Sequence, residues 1–401
     1  MSRLRVLAAC AALAVALAAS PAASAAAVPS VDHAKAAIVV DARDGAVMFQ
    51  KDPDESRAMA STTKLMTALL TLERARPRDV LTAPAYAALP AESKINLRKG
   101  ERMRVEDLLE ALLLESANDA AETLAEGVAG SRPRFVALMN RRASELGLGH
   151  TSYSNPIGLD DADNYSTPRD LASLAVRLLR RPHFAHIVDM PRAVLESGSH
   201  KRVVDNRNLL VGRYPFVDGV KTGHTIDAGY VLVGAAHAGS ASVVTVVLGE
   251  PSEAARDADT LALLRWGLGR FRRERVLDAR RVVARPDVKY RDDRAALVPR
   301  RSLVLTVRRG ERVSRKVSAP DELEGPLEAG KRVGSVTVLL DGRPVRRVDL
   351  LTSAAVPGAG PLRVLFSPLG VPLTLLLVLC ALGAAALMVR RSRVGQRTVR
   401  E

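Results

Sequence analysis

Residues 368–389, PLGVPLTLLLVLCALGAAALMV, contain no charged side chain. About 20 apolar residues in a helix cross the roughly 30 Å hydrocarbon core of a bilayer, and a buried core helix of that length would show a polar face that this stretch lacks. The stretch is predicted to span a membrane, with Pro368 and Pro372 near its start. RRSRVGQRTVR follows at once, and basic residues crowded on one flank predict a cytoplasmic tail over 390–401. The other end carries Arg3 and Arg5, an apolar run from Val6 to Ala19, and A-x-A patterns such as Ala23-Ser24-Ala25. That combination predicts a secretory signal peptide over residues 1–27. LAAC before Cys10 raises a lipoprotein alternative, weakened because only four apolar residues separate Arg5 from Cys10. The two ends together predict an exported body held at the cell membrane by one C-terminal span. Both cysteines, Cys10 and Cys380, lie in the end segments, so the body is expected to use no disulfides.

The chain of 401 residues is 47% hydrophobic, enough for two domains with a sizeable core. Its net charge of +15, from 59 basic and 44 acidic residues, favours anionic surfaces without naming one. Nucleic acid is not an expected partner: no zinc-finger spacing occurs, and aromatics at 3% leave few stacking platforms. AAIVVDARDGAVMFQKD (36–52) reads as a strand pair around Asp44-Gly45. Leu65, Met66, Leu69, Leu70 and Leu72 recur at helical spacing, and RVEDLLEALLLE (104–115) is a second amphipathic helix. STPRDLASLAVRLL opens a third, with Thr167 as cap, Pro168 at the first helical position and Asp170 as the capping acid. SNPIGLDDADNYS between them is a loop, VDGVKTGHT, GYVLVGAAH and ASVVTVVLGE are strands, and a last helix lies around 257–271. Past Arg275 come short β-like runs, SLVLTV and VGSVTVLLDGRPVRRVDLL. The expected plan is therefore α+β: a first domain over 28–275, a small β-rich domain over 276–352, a Pro/Gly/Ala linker over 353–367 and the membrane helix.

Three short patterns carry the chemistry: Ser61-Thr-Thr-Lys64, Ser116-Ala-Asn118 and Lys221-Thr222-Gly223. A serine hydroxyl is a poor nucleophile until a base takes its proton. On a helix starting near Ser61, Lys64 sits one turn on and on the same face, and apolar neighbours plus a second cation would lower its pKa enough for it to act as that base. Ser116 can relay a proton to a leaving amine, and Asn118 offers amide groups for positioning. Lys221 and Thr222 can hold a substrate carboxylate, Gly223 permits close backbone approach, and the N–H groups of Ser61 and His224 are candidates for an oxyanion hole. Each pattern alone is ordinary: Ser61 can be only a helix cap and K-T-G only a strand start. Capping gives no reason for Lys64 amid Leu and Met, however, and the three in this order on an exported chain favour a site. His224 reads as structural or rim-lining rather than a base, and Asp119 as a helix-start acid. No metal site is expected, since the seven histidines show no ligand spacing such as H-E-x-x-H, and no cofactor is called for.

The S-x-x-K, S-x-N and K-T-G set is shared by β-lactamases and penicillin-binding proteins. With STTKLMTALLTLE, ESANDAAETLAE, TSYSNPIGLDDADNYSTPRDLA, VDGVKTGHTIDAGYVLVGAA, LLRWG and GPLEAGKRVGSVTVLLDG beside it, the chain from about Ala36 to Leu351 resembles the serine-type D-alanyl-D-alanine carboxypeptidases, the low-molecular-mass penicillin-binding proteins. The resemblance implies a β-lactamase/transpeptidase-like domain, an antiparallel sheet flanked by helices with a helical subdomain, followed by a β-rich domain. It implies Ser61 as acyl-ester nucleophile, Lys64 as proton acceptor and Ser116 as the second-motif serine, with Asn118, Lys221, Thr222, Gly223 and His224 at the substrate. Arg256, ten residues before Trp266, matches a family arginine that organises the carboxylate site. The implied substrate is a peptidoglycan stem peptide ending in D-Ala-D-Ala, with β-lactam antibiotics as its mimics. Ala117 stands where the family often has Gly, and FRRERVLDARR, VPRRS and TVRRGERVSRK make the β domain unusually Arg-rich. The alternatives are a D,D-endopeptidase of the same family, a class A-like β-lactamase, which the missing Glu-x-x-Leu-Asn pattern disfavours, and an inactive membrane-anchored wall-binding protein.

Overall fold

The computed structural model describes residues 27–361 and 370–395, and the chain divides into two compact units, Met1–Gly269 and Arg270–Glu401. Residues 1–26 of the segment expected to be a signal peptide, with Cys10, lie outside the described residues, as do 362–369, where the expected linker meets the expected span, and 396–401 of the basic tail.

The first unit is built on a five-stranded antiparallel sheet. Its strands are β1 (Ala36–Asp41), β2 (Val47–Lys51), β3 (Val217–Thr225), β4 (Gly229–Ala238) and β5 (Ala241–Glu250), in the order β2-β1-β5-β4-β3. Chain ends therefore meet in the middle of the sheet, and everything between Lys51 and Val217 is an excursion from it. Asp44-Gly45 turns β1 into β2, with Gly45 at φ +78°, a value glycine reaches without strain. β1 is buried at every position and β4 and β5 nearly so, because helices cover both faces. On one face α7 (Glu253–Leu268) approaches so closely that a Cβ on Gly234 would stand 2.8 Å from Thr260, and one on Gly267 3.1 Å from Val39. On the other, Ile38, Val40, Val231, Val233 and Val246 share a core with α1 (Lys64–Arg74), α3 (Asn118–Ala129) and α5 (Pro168–Leu179). The capping expected of α5 is present: Asp170 N–H donates to Thr167 Oγ1 at 3.1 Å. The last helix starts earlier than its hydrophobic pattern does, because Ser252 caps it by accepting from Ala255 N–H at 3.1 Å.

Two elements differ from the sequence expectation. The helical run at Ser61 begins as a tight 3₁₀ turn over Ala60–Thr63, and the α-helix starts only at Lys64. The single helix expected over 104–115 is an α segment, α2 (Val105–Glu110), followed by a π turn over Ala111–Glu115 that ends at Ser116 with φ +65°. Hydrophobic spacing cannot distinguish a wider turn from an α turn, since both bury the same leucines.

The second unit has its own core of Val276, Leu277, Leu297, Val336, Val338, Val348 and Leu350. β6 (Phe271–Leu277) pairs with β8 (Leu303–Arg308). A four-stranded sheet runs β7-β11-β10-β9, made of β7 (Leu297–Pro299), β9 (Val313–Ser318), β10 (Arg332–Leu340) and β11 (Arg343–Thr352). Asp341 and Gly342, at φ +45° and +78°, close the β10–β11 hairpin in the left-handed turn that matches strand twist. The last described helix, α8, covers Gly370–Gly395; within it Val371–Val389 is long and apolar enough to cross a membrane.

Candidate active site

The three motifs converge because β3 packs on both the 60–63 turn and the 111–115 turn. Lys64, the first residue of α1, is fully buried, and its Nζ lies 2.9 Å from Ser61 Oγ and 2.5 Å from the Ile157 carbonyl oxygen. Burial pushes the ammonium well below its ordinary pKa and the Lys221 charge pushes it further, against the pull of Glu92 and Glu122. A neutral amine in this position accepts the Ser61 hydroxyl proton instead of donating to the oxygen, which is the state a nucleophilic serine requires.

The loop that receives Lys64 is made by one side chain. Asn155 Oδ1 accepts from the N–H groups of Gly158 (2.6 Å), Leu159 (3.2 Å) and Ile157 (3.3 Å), curling SNPIGL so that its carbonyls face α1. The Pro156 carbonyl takes the Thr67 hydroxyl at 2.7 Å as the Ile157 carbonyl takes Lys64. Gly158, at φ +92°, lies against the nucleophile turn: a Cβ there would fall 2.1 Å from the Ala60 carbonyl oxygen and 2.9 Å from Ser61 N. The turn is thus clamped from two sides, since a Cβ on Gly223 would stand 2.8 Å from that same Ser61 nitrogen.

Ser116 occupies the left-handed conformation at the end of the π turn, and Asn118 opens α3 with its Nδ2 donating to Glu92 Oε2 at 2.6 Å. Asp119 accepts from Ile95 N (3.1 Å) and Leu97 N (2.9 Å), tying the 95–97 segment to the helix start. Lys221 is 1% exposed and donates to the Thr222 carbonyl at 3.0 Å. Burial, then the charges of Arg256 and Arg207, bring its pKa down to about 7, with Glu115 opposing them. Thr222 is buried, and the His224 ring is exposed and stacked on Tyr230, centroids 4.0 Å apart. Arg256 is buried within 2.8 Å of both Glu253 and Asp257, so it enters the site through its charge on Lys221.

The chain is similar to known proteins in sequence and in fold. The family described as D-alanyl-D-alanine carboxypeptidase matches residues 22–252. The chain belongs to that family. A second description, penicillin-binding protein 5, C-terminal domain, matches residues 271–358. D-alanyl-D-alanine carboxypeptidase DacF of Bacillus subtilis is 30% identical over 338 residues, 82% of this chain and 87% of that one. DacA of Escherichia coli K12 is 30% identical over 345 residues, 82% and 85%. Among solved structures, penicillin binding protein 5 from Haemophilus influenzae superposes with a TM-score of 0.59 at 29% identity, covering 82% of this chain and 98% of that one. The Streptomyces K15 DD-transpeptidase, at 0.57 and 29%, covers 60% and 98%. The family's α+β architecture, a helix-flanked sheet followed by a β-rich domain, is the one this chain adopts.

Sequence reasoning passed over three members of this carboxypeptidase-family site. Glu92 accepts from Asn118, from Leu89 N at 2.8 Å and from the Tyr86 hydroxyl. Burial raises its pKa, but those hydrogen bonds and the Lys64 charge outweigh that and hold it below the ordinary carboxylate value. Burial and Glu92 in turn push the Tyr86 phenol well up. Neither residue carried a signal, because residues 83–94 have no periodicity and an acid among Ala, Pro and Ser reads as loop. Asn155 had one: an Asn-Pro ahead of a Gly marks a turn, though not which side chain ties it.

Proposed function

We propose that this protein is a serine D-alanyl-D-alanine carboxypeptidase acting on peptidoglycan stem pentapeptides, and that it does so through an acyl-enzyme on Ser61. The observation that carries the reading is the buried Lys64 amine 2.9 Å from Ser61 Oγ, with its pKa depressed by burial and by Lys221. Neutral Lys64 takes the hydroxyl proton as Oγ attacks the carbonyl carbon of the penultimate D-Ala. The resulting oxyanion is met by the N–H groups of Ser61 and His224, whose exposed ring stacks on Tyr230. Collapse breaks the peptide bond, the proton passes through Ser116 to the departing nitrogen, and free D-Ala leaves. Water then attacks the ester, Lys64 again accepting a proton, and Ser61 is regenerated. Lys221 and Thr222 hold the terminal carboxylate, Asn118 positions the substrate amide, and Gly223 lets the peptide backbone lie against β3. A β-lactam presents the same carboxylate and a strained amide, so it acylates Ser61 and stays. Residues 1–27 direct export, and the span within 368–389 holds the catalytic domain outside the cytoplasm.

The test is release of free D-Ala from a pentapeptide ending in D-Ala-D-Ala by the detergent-solubilised chain and by Ser61→Ala. Release by the first only is expected, and labelled penicillin should mark only the first. No release by the unsubstituted chain, or equal release by both, overturns the reading. A cross-linked dimer offered beside the pentapeptide separates carboxypeptidase from endopeptidase action.

A further inference from the structure

Residues 270–361 hold 22 basic and 12 acidic residues, and so ten of the 15 net positive charges of the whole chain. On this unit a groove of about 480 Å³ runs between β6, the turn after it and the edge strand β9. Its floor is Val276 and Leu277, and its walls include Val282 and Val317, which are 39% and 40% exposed. Arg275, Arg281 and Arg315 line it. Asp278 is the one acid among the lining residues, and it faces Arg275 at 3.8 Å. The side chains of Arg281 and Arg315 have no ion pair or hydrogen bond among the described residues. Arg315 and Val317 are two apart on one strand and so share a face, which places a cation and an apolar side chain side by side.

We propose that this groove docks the phosphate head groups of anionic phospholipids in the bilayer that the chain's own C-terminal helix spans. The proposal rests on the membrane anchoring proposed for that helix. Val356 is still paired to Leu327 of the β-rich unit, and the apolar span begins at Val371. The fourteen residues between them reach about 50 Å at full extension, so the bilayer surface stays within reach and its lipids act at high effective concentration. A guanidinium fork fits two phosphate oxygens, and two such forks without partners face one groove. The exposed valines decide between phosphate sources: glycerol and the first acyl methylenes cover them, whereas the polyol backbone of a soluble wall polymer does not.

The full-length chain, reconstituted in nanodiscs of phosphatidylcholine alone or with about a third phosphatidylglycerol, is followed by amide hydrogen exchange over 275–283 and 313–318. Slower exchange in the anionic discs is expected. Each arginine is expected to supply about fivefold in association, so R281Q/R315Q weakens docking about 25-fold and restores the neutral-disc rate, as does salt near 0.5 M. Equal exchange in both discs, or protection indifferent to the double substitution, overturns the proposal. Protection that appears in neutral discs on adding a soluble anionic wall polymer, and not with phosphatidylglycerol, also overturns it and assigns the groove to the polymer. Co-elution with the neutral discs reads the anchor separately: its failure removes the tether and the proposal together, whereas co-elution with equal exchange removes the groove alone.

Discussion

Gly223→Ala places one methyl group between the two parts of the site that must stay in register. Its Cβ would stand 2.8 Å from Ser61 N, 2.8 Å from Val231 Cγ2 and 2.9 Å from Ala60 Cβ. Carbon contacts settle at about 3.5 Å, so β3 and the nucleophile turn have to separate by roughly half an ångström. Val231 is fully buried and β-branched, and Ser61 N is main chain pinned from beneath by Gly158, so no flexible side chain can absorb the shift. Overpacking of this kind costs about 1–3 kcal/mol of stability. A 1 Å misplacement of reacting groups costs about 10²-fold, so the half-ångström opening should lower the second-order rate of acylation roughly 10-fold or more. Stopped-flow acylation by a chromogenic β-lactam and urea unfolding measure the two effects. Gly149→Ala is the matched control, since a Cβ there meets nothing within 4 Å. Acylation and unfolding of Gly223→Ala both indistinguishable from those of Gly149→Ala would refute the claim that strand and turn are in van der Waals register.

Further outcomes are expected from the charges and clamps around the two lysines. In Glu92→Gln the amide oxygen can keep accepting from Asn118 and Tyr86 while the Leu89 N–H loses its acceptor, and the charge that raises the Lys64 pKa is gone, leaving Glu122 and Lys221 facing Lys64; the acid limb of the acylation pH profile moves to lower pH, with the plateau rate within about threefold. Glu92→Ala also frees Asn118 and should cost about 1–3 kcal/mol of transition-state stabilisation, read as kcat/KM for D-Ala release. The alkaline limb of kcat/KM should fall at about pH 7, where Lys221 loses its charge in the free enzyme, and should be absent for substrates amidated at the terminal carboxylate. Below about pH 7 Lys221 is charged folded and unfolded; from there to about 10.5 only the unfolded chain keeps the proton, so stability rises with pH across that window. Lys221→Met removes that slope and stabilises the fold at neutral pH by on the order of 1–4 kcal/mol, by urea unfolding, while abolishing carboxylate recognition. Asn155→Ala strips three backbone donors of their acceptor and should lower unfolding free energy by about 1–3 kcal/mol, with slower acylation as the Ile157 carbonyl drifts from Lys64.

What the residues announced in advance were the features that depend on residue type at fixed spacing. Lys64 amid Leu and Met, the Asp44-Gly45 and Asp341-Gly342 turns, and Thr167-Pro168 with Asp170 all act over at most a few positions, where chain geometry leaves little choice. The features that stayed hidden depend on partners far away in the chain. Glu92 reaches Asn118 across 26 positions and Lys64 reaches the Ile157 carbonyl across 93, and no local pattern reports either. The depression of the Lys64 pKa was foreseeable in sign, from apolar neighbours and a second cation, whereas that of Lys221 was not. Nor was the identity of the cations acting on Lys221: Arg256 and Arg207 reach it through the fold and not through any local pattern in the chain.

The π turn over Ala111–Glu115 makes the second motif a matter of counting as much as of chemistry. One residue more than an α turn requires is accommodated there, with the Ser116 N–H reaching back five residues to the Ala111 carbonyl. Each residue added to or removed from a helix rotates the downstream chain by about 100°. A single-residue deletion among Leu112, Leu113 and Leu114 would therefore leave Ser-Ala-Asn intact to any pattern search while turning Ser116 in another direction. In relatives that differ in length at this point, the motif's spelling and its aim are separate properties, inherited separately.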